Sequence, residues 1–277
     1  MARMILVTGA TGNIGKPLVR ELVERGATVR VLVRDGRKAQ PDVQIAVGDL
    51  DDAAAVAAAM RGAKRAFMLC ASPPQEASFI ENAKKAGVEH VVMLSSGGVP
   101  FGVGGGPAHA AGEELLRASG LAWTILRPWE FMSNALRWIP TVQAQGAVFE
   151  PAGDGKTALI DPRDIADVAA RVLTTAGHEG KIYDLTGPAA IGRPEMVETL
   201  GKAIGKSLRY VDVPEAAFED QMSKMGLPPF VLQPVLGFYR MVREGKLTET
   251  KPDVERLLGR KPRTFADWAA ENARAFA

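Results

Sequence analysis

The chain has 277 residues, and its 34 basic and 32 acidic side chains leave a formal net charge of +2. Because the basic and acidic side chains are nearly equal in number, a nucleic-acid partner is not expected. No apolar run reaches the roughly 18 residues that a membrane span requires. Cys70 is the single cysteine, which excludes an internal disulfide framework and a cysteine-cluster metal site. We therefore expect a globular, cytoplasmic protein with no bound metal and no membrane contact.

The chain opens on a strand, a glycine turn and a helix. Residues 4–7 are an apolar run, Gly9, Gly12 and Gly15 follow at a three-residue spacing, and apolar residues then recur at helical intervals from Leu18. Such a turn holds a dinucleotide pyrophosphate at the helix N-terminus, whereas an ordinary glycine turn binds nothing. We expect Gly9 to form the turn, Gly12 to admit the pyrophosphate and Gly15 to let the helix approach the sheet. The predicted cofactor contacts here are Gly9, Thr11, Gly12, Asn13, Ile14 and Gly15.

Predicted strands and helices alternate along the first half of the chain. The predicted strands that follow are residues 28–34, 43–49, 65–71, 90–96 and 123–127, and the helices between them are residues 51–60, 75–86 and 110–119. This alternation indicates an α/β fold with a Rossmann-like, doubly wound parallel sheet and a cofactor at the carboxyl ends of its strands. We expect residues 1–150 to be the NAD(P)-binding domain. Residues 151–277 would form a smaller, mixed and mostly helical substrate-binding lobe, with a strand near 181–186 returning to the main sheet.

The end of the second predicted strand distinguishes the two nicotinamide cofactors. Enzymes that use NAD usually place a carboxylate there for the ribose 2′-hydroxyl, whereas this chain has Arg34, then Asp35, Arg37 and Lys38. Because a guanidinium bonds a 2′-phosphate that a carboxylate would repel, Arg34 and Lys38 favour NADPH over NADH. The alternatives are that Arg34 is a solvated charge and that Asp35 turns toward an NAD ribose.

Later strand ends supply the remaining predicted cofactor contacts. Asp49 and Leu50 would lie near the adenine, although Asp49 could equally cap the helix that follows. The end of the next strand would flank the nicotinamide ribose. The predicted contacts from there onward are Cys70, Ala71, Ser72 and Ser95.

The helix predicted at 110–119 lacks the catalytic pair of the standard short-chain dehydrogenases. In those enzymes a Tyr-x-x-x-Lys pair lowers the tyrosine pKa so that it can protonate the substrate oxygen. The three tyrosines here are Tyr183, Tyr210 and Tyr239, and none has a lysine four residues later. No lysine occurs between Lys85 and Lys156. The segment that should carry the pair therefore carries neither member, which also disfavours a sugar-nucleotide epimerase or dehydratase.

Several motifs along the chain match a known family. They are the T-G-A-T-G-x-x-G opening, the arginine that ends the second strand, the H-x-x-x-E pattern of His109 and Glu113, and the segment S-G-L-x-x-T-I-L-R-P. Over nearly its whole length the chain resembles the NmrA-like, atypical branch of the short-chain dehydrogenase/reductase superfamily, nearest to its type-2 quinone oxidoreductases and triphenylmethane reductases. This resemblance implies NADPH-dependent reduction without a catalytic tyrosine. Because the branch also contains dinucleotide sensors, a non-catalytic NADP(H)-sensing regulator that binds a partner protein is the alternative.

His109 is the only histidine in the predicted cleft, and we predict it as the catalytic-site residue. A neutral imidazole could bond the cofactor or shuttle a proton, although a residue satisfied locally at a helix start is the simpler interpretation. Glu113, one turn later, could orient His109 or be an ordinary helix charge. We expect His90 to be structural and His178 to be exposed.

Aromatic residues near the predicted nicotinamide site could bind the substrate. The glycine-rich segment 97–106 contains Phe101 and is either a mobile lid or a flexible loop. Trp129 and Phe131 follow the strand at 123–127 and form either a flat apolar wall or part of the core. Such a site suits hydride transfer to a quinone, a dye or an activated alkene, whose anion is stabilised. The expected partner is therefore a small apolar acceptor, and a homodimer is left open.

Overall fold

The computed structural model describes residues 4–277. Its strands, in chain order, are β1 (Ile5–Val7), β2 (Val29–Val33), β3 (Gln44–Val47), β4 (Arg65–Met68), β5 (His90–Leu94), β6 (Ala122–Pro128), β7 (Ala147–Glu150), β8 (Lys156–Thr157), β9 (Lys181–Leu185), β10 (Ile191–Gly192) and β11 (Arg209–Asp212). Its helices are α1 (Gly15–Glu24), α2 (Ala53–Met60), α3 (Pro73–Ala86), α4 (Gly106–Ala118), α5 (Ile139–Gln145), α6 (Pro162–Thr174), α7 (Arg193–Ile204), α8 (Glu215–Lys224), α9 (Pro229–Arg243), α10 (Asp253–Leu258) and α11 (Phe265–Asn272). None of the helices within these residues is both long and apolar enough to cross a membrane.

The central sheet has seven strands in the order β3-β2-β1-β4-β5-β6-β9. The pairs from β3 to β6 are parallel, with Val7 beside Val31 on one side and Phe67 on the other. Strands β1, β4 and β5 are buried along their whole length, as expected for parallel strands covered on both faces. The chain runs outward from β1 in one direction and from β4 in the other, so a switch point lies between them. The predicted Rossmann-like sheet is confirmed, and β9 lies at its edge beside β6.

The described residues divide into two compact units. The first holds the residues up to Ser96 together with Ala108–Arg127 and Pro162–Asp184, and the second holds Gly97–Pro107, Pro128–Asp161 and Leu185–Ala277. In the first unit α1 packs against α6, and α2 packs against α3. The second unit is mostly helical and has its own buried clusters, one around Trp138 and Trp268 and one around its α8–α9 pair. The division of binding roles between residues 1–150 and 151–277 stays a prediction.

The glycine-rich segment between β5 and α4 is shorter than predicted. Helix α4 starts at Gly106 rather than near residue 110, and Val99–Phe101 forms a single 3-10 turn. A Cβ on Gly98 would overlap the carbonyl oxygen of Val103, and a Cβ on Gly106 would overlap the backbone of Gly98. The glycines therefore allow the backbone to fold back on itself, so that Gly106 can begin the helix.

Candidate functional site

The glycine turn between β1 and α1 has the geometry of an anion-binding turn. Gly9 has a φ of 67°, and the Gly12 amide donates to its carbonyl oxygen at 3.0 Å. A Cβ on Gly15 would overlap the Gly9 backbone, so only glycine lets the helix start so close to the strand. Residues 11–13 are exposed, and Ile14, the N-cap, provides no side-chain hydrogen bond. Pro17 has no N–H, and the amides of Lys16 and Leu18 donate to the carbonyl oxygens of Gly12 and Ile14, so a ligand here would meet the backbone of the turn itself. The pyrophosphate of a dinucleotide fits this turn.

Thr8, which the sequence analysis did not select, fixes the position of this turn. It is fully buried, and its Oγ1 accepts a hydrogen bond from Leu69 N at 2.8 Å. The same hydroxyl lies within hydrogen-bond distance of the carbonyl oxygens of Phe67 and Leu69. One side chain therefore joins the carboxyl ends of β1 and β4. A threonine between an apolar run and a glycine turn is the sequence signal that could have identified it.

At the carboxyl end of β2, Arg34 is exposed and the next residue, Asp35, is paired with Arg37. The side chain of Arg34 is 86% exposed, and its Nε lies 4.0 Å from Oδ2 of Asp49. Asp35 accepts hydrogen bonds from the Arg37 guanidinium at 2.9 and 3.0 Å, and these bonds lower the pKa of its carboxyl. Lys38 is also exposed. Asp35 is thus engaged by Arg37, while Arg34 and Lys38 are open to solvent.

Asp49 does not cap the helix that follows it. Its Oδ1 accepts from the amide of Asp51 at 3.0 Å, and α2 is instead capped by Asp52, which accepts from Ala54 N and Ala55 N. The interpretation of Asp49 as a helix cap is therefore wrong. Its carboxylate stays at the carboxyl end of β3, on the side of Arg34.

Gln75 links the ends of β3 and β4 and was also missed by the sequence analysis. Its Nε2 donates to Asp51 Oδ1 at 2.8 Å, and its Oε1 accepts from Ala71 N at 2.9 Å. Ser72 is the N-cap of α3 but makes no side-chain capping bond.

Cys70 is buried, and burial, assisted by the nearby Glu76, raises the pKa of its thiol to about 12. The thiol is therefore protonated at neutral pH and is not a nucleophile.

Glu113 belongs to a buried ion pair and does not orient His109. It accepts from Ser95 Oγ at 2.5 Å and from two nitrogens of Arg127 at 2.8 and 2.5 Å, and Arg117 adds a bond at 3.1 Å. Burial opposes ionisation of Glu113, but the hydrogen bonds of Arg127 and Ser95 outweigh it and lower its pKa. The predicted orienting role of Glu113 is wrong, because the arginine of β6 lies against it. The hydroxyl of Ser95 is engaged in the same cluster.

His109 instead pairs with a glutamate from α3. Its Nδ1 lies 2.9 Å from Oε1 of Glu76, whose side chain is 2% exposed. From the sequence, Glu76 is predicted to lie in a helix and has no predicted role. Its spacing could have identified it, because Glu76, Phe79, Ile80 and Ala83 share the buried face of that helix.

The other two histidines are buried in one hydrogen-bonded cluster. His90 Nε2 lies 2.9 Å from Thr124 Oγ1, and burial lowers the pKa of His90 to about 4. His178 was expected to be exposed, but it is buried, with Nδ1 2.8 Å from the hydroxyl of Tyr183 and Nε2 2.9 Å from Thr175. The expectation of exposure is wrong, because β9 brings the hydroxyl of Tyr183 to Nδ1 of His178 and packs its ring edge-on against the imidazole.

The second unit brings two of the three predicted substrate residues together. The rings of Phe101 and Trp129 have centroids 5.9 Å apart at 44°, and Phe101 is 54% exposed. The backbone of Gly97 lies against the indole, where a Cβ would be 2.8 Å from ring atoms. Among residues 4–277 the buried Trp129 Nε1 finds no hydrogen-bond partner. The backbone of Phe131 forms a β-bridge with Ile160.

Comparison with known proteins places the chain in a family. Residues 9–176, more than half of the chain, match the family described as NAD(P)H-binding. The chain is 35% identical to the NAD(P)H azoreductase of Xenophilus azovorans, over 99% of both chains. It is 37% identical to the (4-alkanoyl-5-oxo-2,5-dihydrofuran-3-yl)methyl phosphate reductase of Streptomyces griseus, again over 99% of both.

The fold agrees with a solved structure along almost the whole chain. The NADPH-dependent quinone oxidoreductase of Escherichia coli, solved with NADPH, superposes with a TM-score of 0.86 at 29% identity, covering 97% of this chain and 99% of that one. The chain therefore belongs to the NAD(P)H-binding family and is an NAD(P)H-dependent reductase, which confirms the atypical short-chain dehydrogenase/reductase assignment predicted from its motifs.

Proposed function

We propose that this chain transfers a hydride from NADPH to a small apolar, conjugated acceptor such as a quinone, a dye or an activated alkene. The observation that favours NADPH over NADH is the pairing of Asp35 with Arg37 at the end of β2. Arg37 holds Asp35, the carboxylate that could have served an NAD ribose, and Arg34 remains 86% exposed. An exposed guanidinium at this position suits a 2′-phosphate.

The residues that would hold the dinucleotide come from the carboxyl ends of neighbouring strands. The glycine turn would bind the pyrophosphate, and Arg34 with Lys38 would bind the 2′-phosphate. Asp49 and Leu50 would lie along the adenosine. When bound, NADPH supplies the hydride. The remaining proposed contacts, on the nicotinamide side, are Cys70, Ala71, Ser72, Ser95 and His109.

The acceptor class is supported by the aromatic pair in the second unit and by the names of the relatives. Phe101 and Trp129 offer flat apolar surface, and we include Phe131 in the proposed acceptor site. The relatives are named for azo compounds, quinones and a dihydrofuranyl phosphate. Hydride addition to a conjugated acceptor gives a stabilised anion, which water can protonate without a strong acid.

The decisive experiment follows NADPH oxidation with a panel of quinones, azo dyes and activated alkenes. We expect turnover with several acceptors, and transfer of deuterium from 4-deuterated NADPH directly to the product. Gly12→Val, which blocks the pyrophosphate turn, is the matched control and should abolish both signals. Tight NADPH binding without oxidation by any acceptor would contradict the proposal.

That outcome would instead support an NADP(H)-sensing regulator. One feature favours it as the second candidate: Met225, Phe230 and Val231, near the α8–α9 turn, are 67%, 79% and 40% exposed. Apolar side chains exposed together can mark a protein-binding surface. A dinucleotide-dependent change in protease sensitivity at this turn, without turnover, would identify that function.

The setting of the enzyme is part of the same proposal. The single cysteine supports a reducing, cytoplasmic location, and the net charge of +2 supports the absence of a nucleic-acid partner. A homodimer remains a prediction, which sedimentation velocity at several concentrations tests.

A further inference from the structure

A carboxylate that the proposed reaction does not use is buried against His109. Glu76 lies in the first turn of α3 and is 1% exposed. Its Oε1 is 2.9 Å from His109 Nδ1, and its Oε2 is buried with no hydrogen-bond partner among residues 4–277. A Cβ on Gly112 would overlap that carboxylate, so the glycine in α4 leaves the room that Glu76 occupies.

This arrangement lowers the stability of the folded chain, so stability does not explain why a glutamate lies here. A buried carboxylate with a single hydrogen-bonding partner is poorly compensated for its lost hydration, although the N-terminus of α3 offsets part of the loss. An apolar side chain facing a larger residue at position 112 would pack the same space without that cost. The contact with His109 therefore indicates a role for Glu76 in the site.

We propose that Glu76 is a positioning residue that fixes the tautomer of His109. A carboxylate only accepts hydrogen bonds, so the proton of the neutral ring must sit on Nδ1. Nε2 is then an unprotonated acceptor, and it makes no hydrogen bond within residues 4–277. The ring is 22% exposed, so this edge can reach a ligand.

The group that His109 would meet follows from this tautomer. An acceptor nitrogen pairs with a donor, and a dinucleotide offers hydroxyl donors on its ribose and N–H donors on its carboxamide. This step rests on the proposed function. Glu76 therefore acts on dinucleotide affinity through His109, and it does not itself touch the reacting atoms.

The tautomer can be measured without any reaction. The chain has three histidines, so nitrogen NMR of the histidine-labelled apo protein yields three resolvable rings. We expect His109 to carry its proton on Nδ1. Thr124 and Thr175 donate to backbone carbonyls and so accept from Nε2 of His90 and His178, which makes these two rings internal references of the opposite tautomer.

Substitutions then test the role of Glu76. Glu76→Gln keeps the shape but can present either its amide oxygen or its N–H to Nδ1, so it should add an Nε2–H population of His109 that the parent protein lacks. Glu81→Gln, at an exposed position of the same helix, is the control and should leave all three rings unchanged. An Nε2–H form of His109 in the parent protein, or an unchanged ring in Glu76→Gln, would overturn the proposal.

Dinucleotide titration completes the test. We expect Glu76→Gln to weaken NADPH binding about tenfold, as loss of a well-placed hydrogen bond does, and His109→Ala to weaken it equally. The double variant should lose no more than either single one, because both act through one contact. Gly112→Ala, which displaces the carboxylate without removing it, should reproduce Glu76→Gln. Additive losses would show that Glu76 acts independently of His109. Failure of the acceptor panel alone would contradict the proposed reaction and leave these NMR and binding results standing.

Discussion

Arg34 and Asp49 meet at the carboxyl ends of β2 and β3, with Nε and Oδ2 4.0 Å apart. Both side chains are exposed, and an exposed ion pair contributes only about 0–1 kcal/mol. The guanidinium can therefore leave Asp49 for a more highly charged phosphate at little cost.

Replacing Arg34 by aspartate should change the coenzyme preference. We expect the parent protein to bind NADPH at least tenfold more tightly than NADH, since a charge-assisted contact contributes roughly 1.5–3 kcal/mol. Arg34→Asp should invert or erase the difference, whereas Arg20→Asp, at an exposed position on α1, should not. Calorimetric titration checks this, and equal affinities in the parent would contradict it.

Valine at Gly12 should affect dinucleotide binding, whereas valine at Gly15 should affect the stability of the fold. A Cβ on Gly12 meets only the Gly9 carbonyl oxygen, at 3.3 Å, whereas one on Gly15 overlaps the Gly9 backbone. Gly12→Val should therefore abolish dinucleotide binding with little change in the melting temperature, because its side chain points into the phosphate site. Gly15→Val should lower the melting temperature itself. Normal NADPH binding by Gly12→Val would place the site elsewhere.

Removing His109 should weaken binding more than chemistry. For His109→Ala we expect a fall in turnover under about tenfold and a larger rise in the Michaelis constant, as when a positioning contact is lost. Deuterium from 4-deuterated NADPH should still reach the product directly. A thousandfold fall in turnover with unchanged NADPH affinity would show that His109 is the general acid.

Acid should destabilise the fold through His90. Burial lowers its pKa from 6.5 to about 4 in the folded chain, so below pH 6.5 the unfolded chain takes up the proton first. The stabilisation is fully present above pH 6.5 and falls by up to about 3 kcal/mol as the pH drops toward 4. Urea unfolding at a series of pH values measures this slope, which should flatten in His90→Gln. An equal slope in both proteins would exclude His90 as its source.

The elements that depend on neighbouring residues could be predicted from the sequence, whereas the contacts between residues far apart in the chain could not. The strand–helix alternation and the turn at Gly9 depend on residues close together in the chain, and both are confirmed. The start of α4 was misplaced, because local preference puts Gly106 and Pro107 in a loop while contact with Gly98 brings them into the helix. The partner of His109 was sought four residues away, whereas Glu76 is 33 residues away.

The cluster of Glu113 and Arg127 has a consequence for how this sequence can vary. Their side chains are 2% and 14% exposed, and Arg127 is the nearest cation to Glu113, with Arg117 a second partner at 3.1 Å. Losing one member alone would leave the other poorly compensated, and breaking a buried pair costs roughly 3–5 kcal/mol, whereas replacing both by apolar residues can be neutral. Homologous chains should therefore keep the two together or lose them together, and Ser95, whose hydroxyl donates to Glu113, should change in the same lineages.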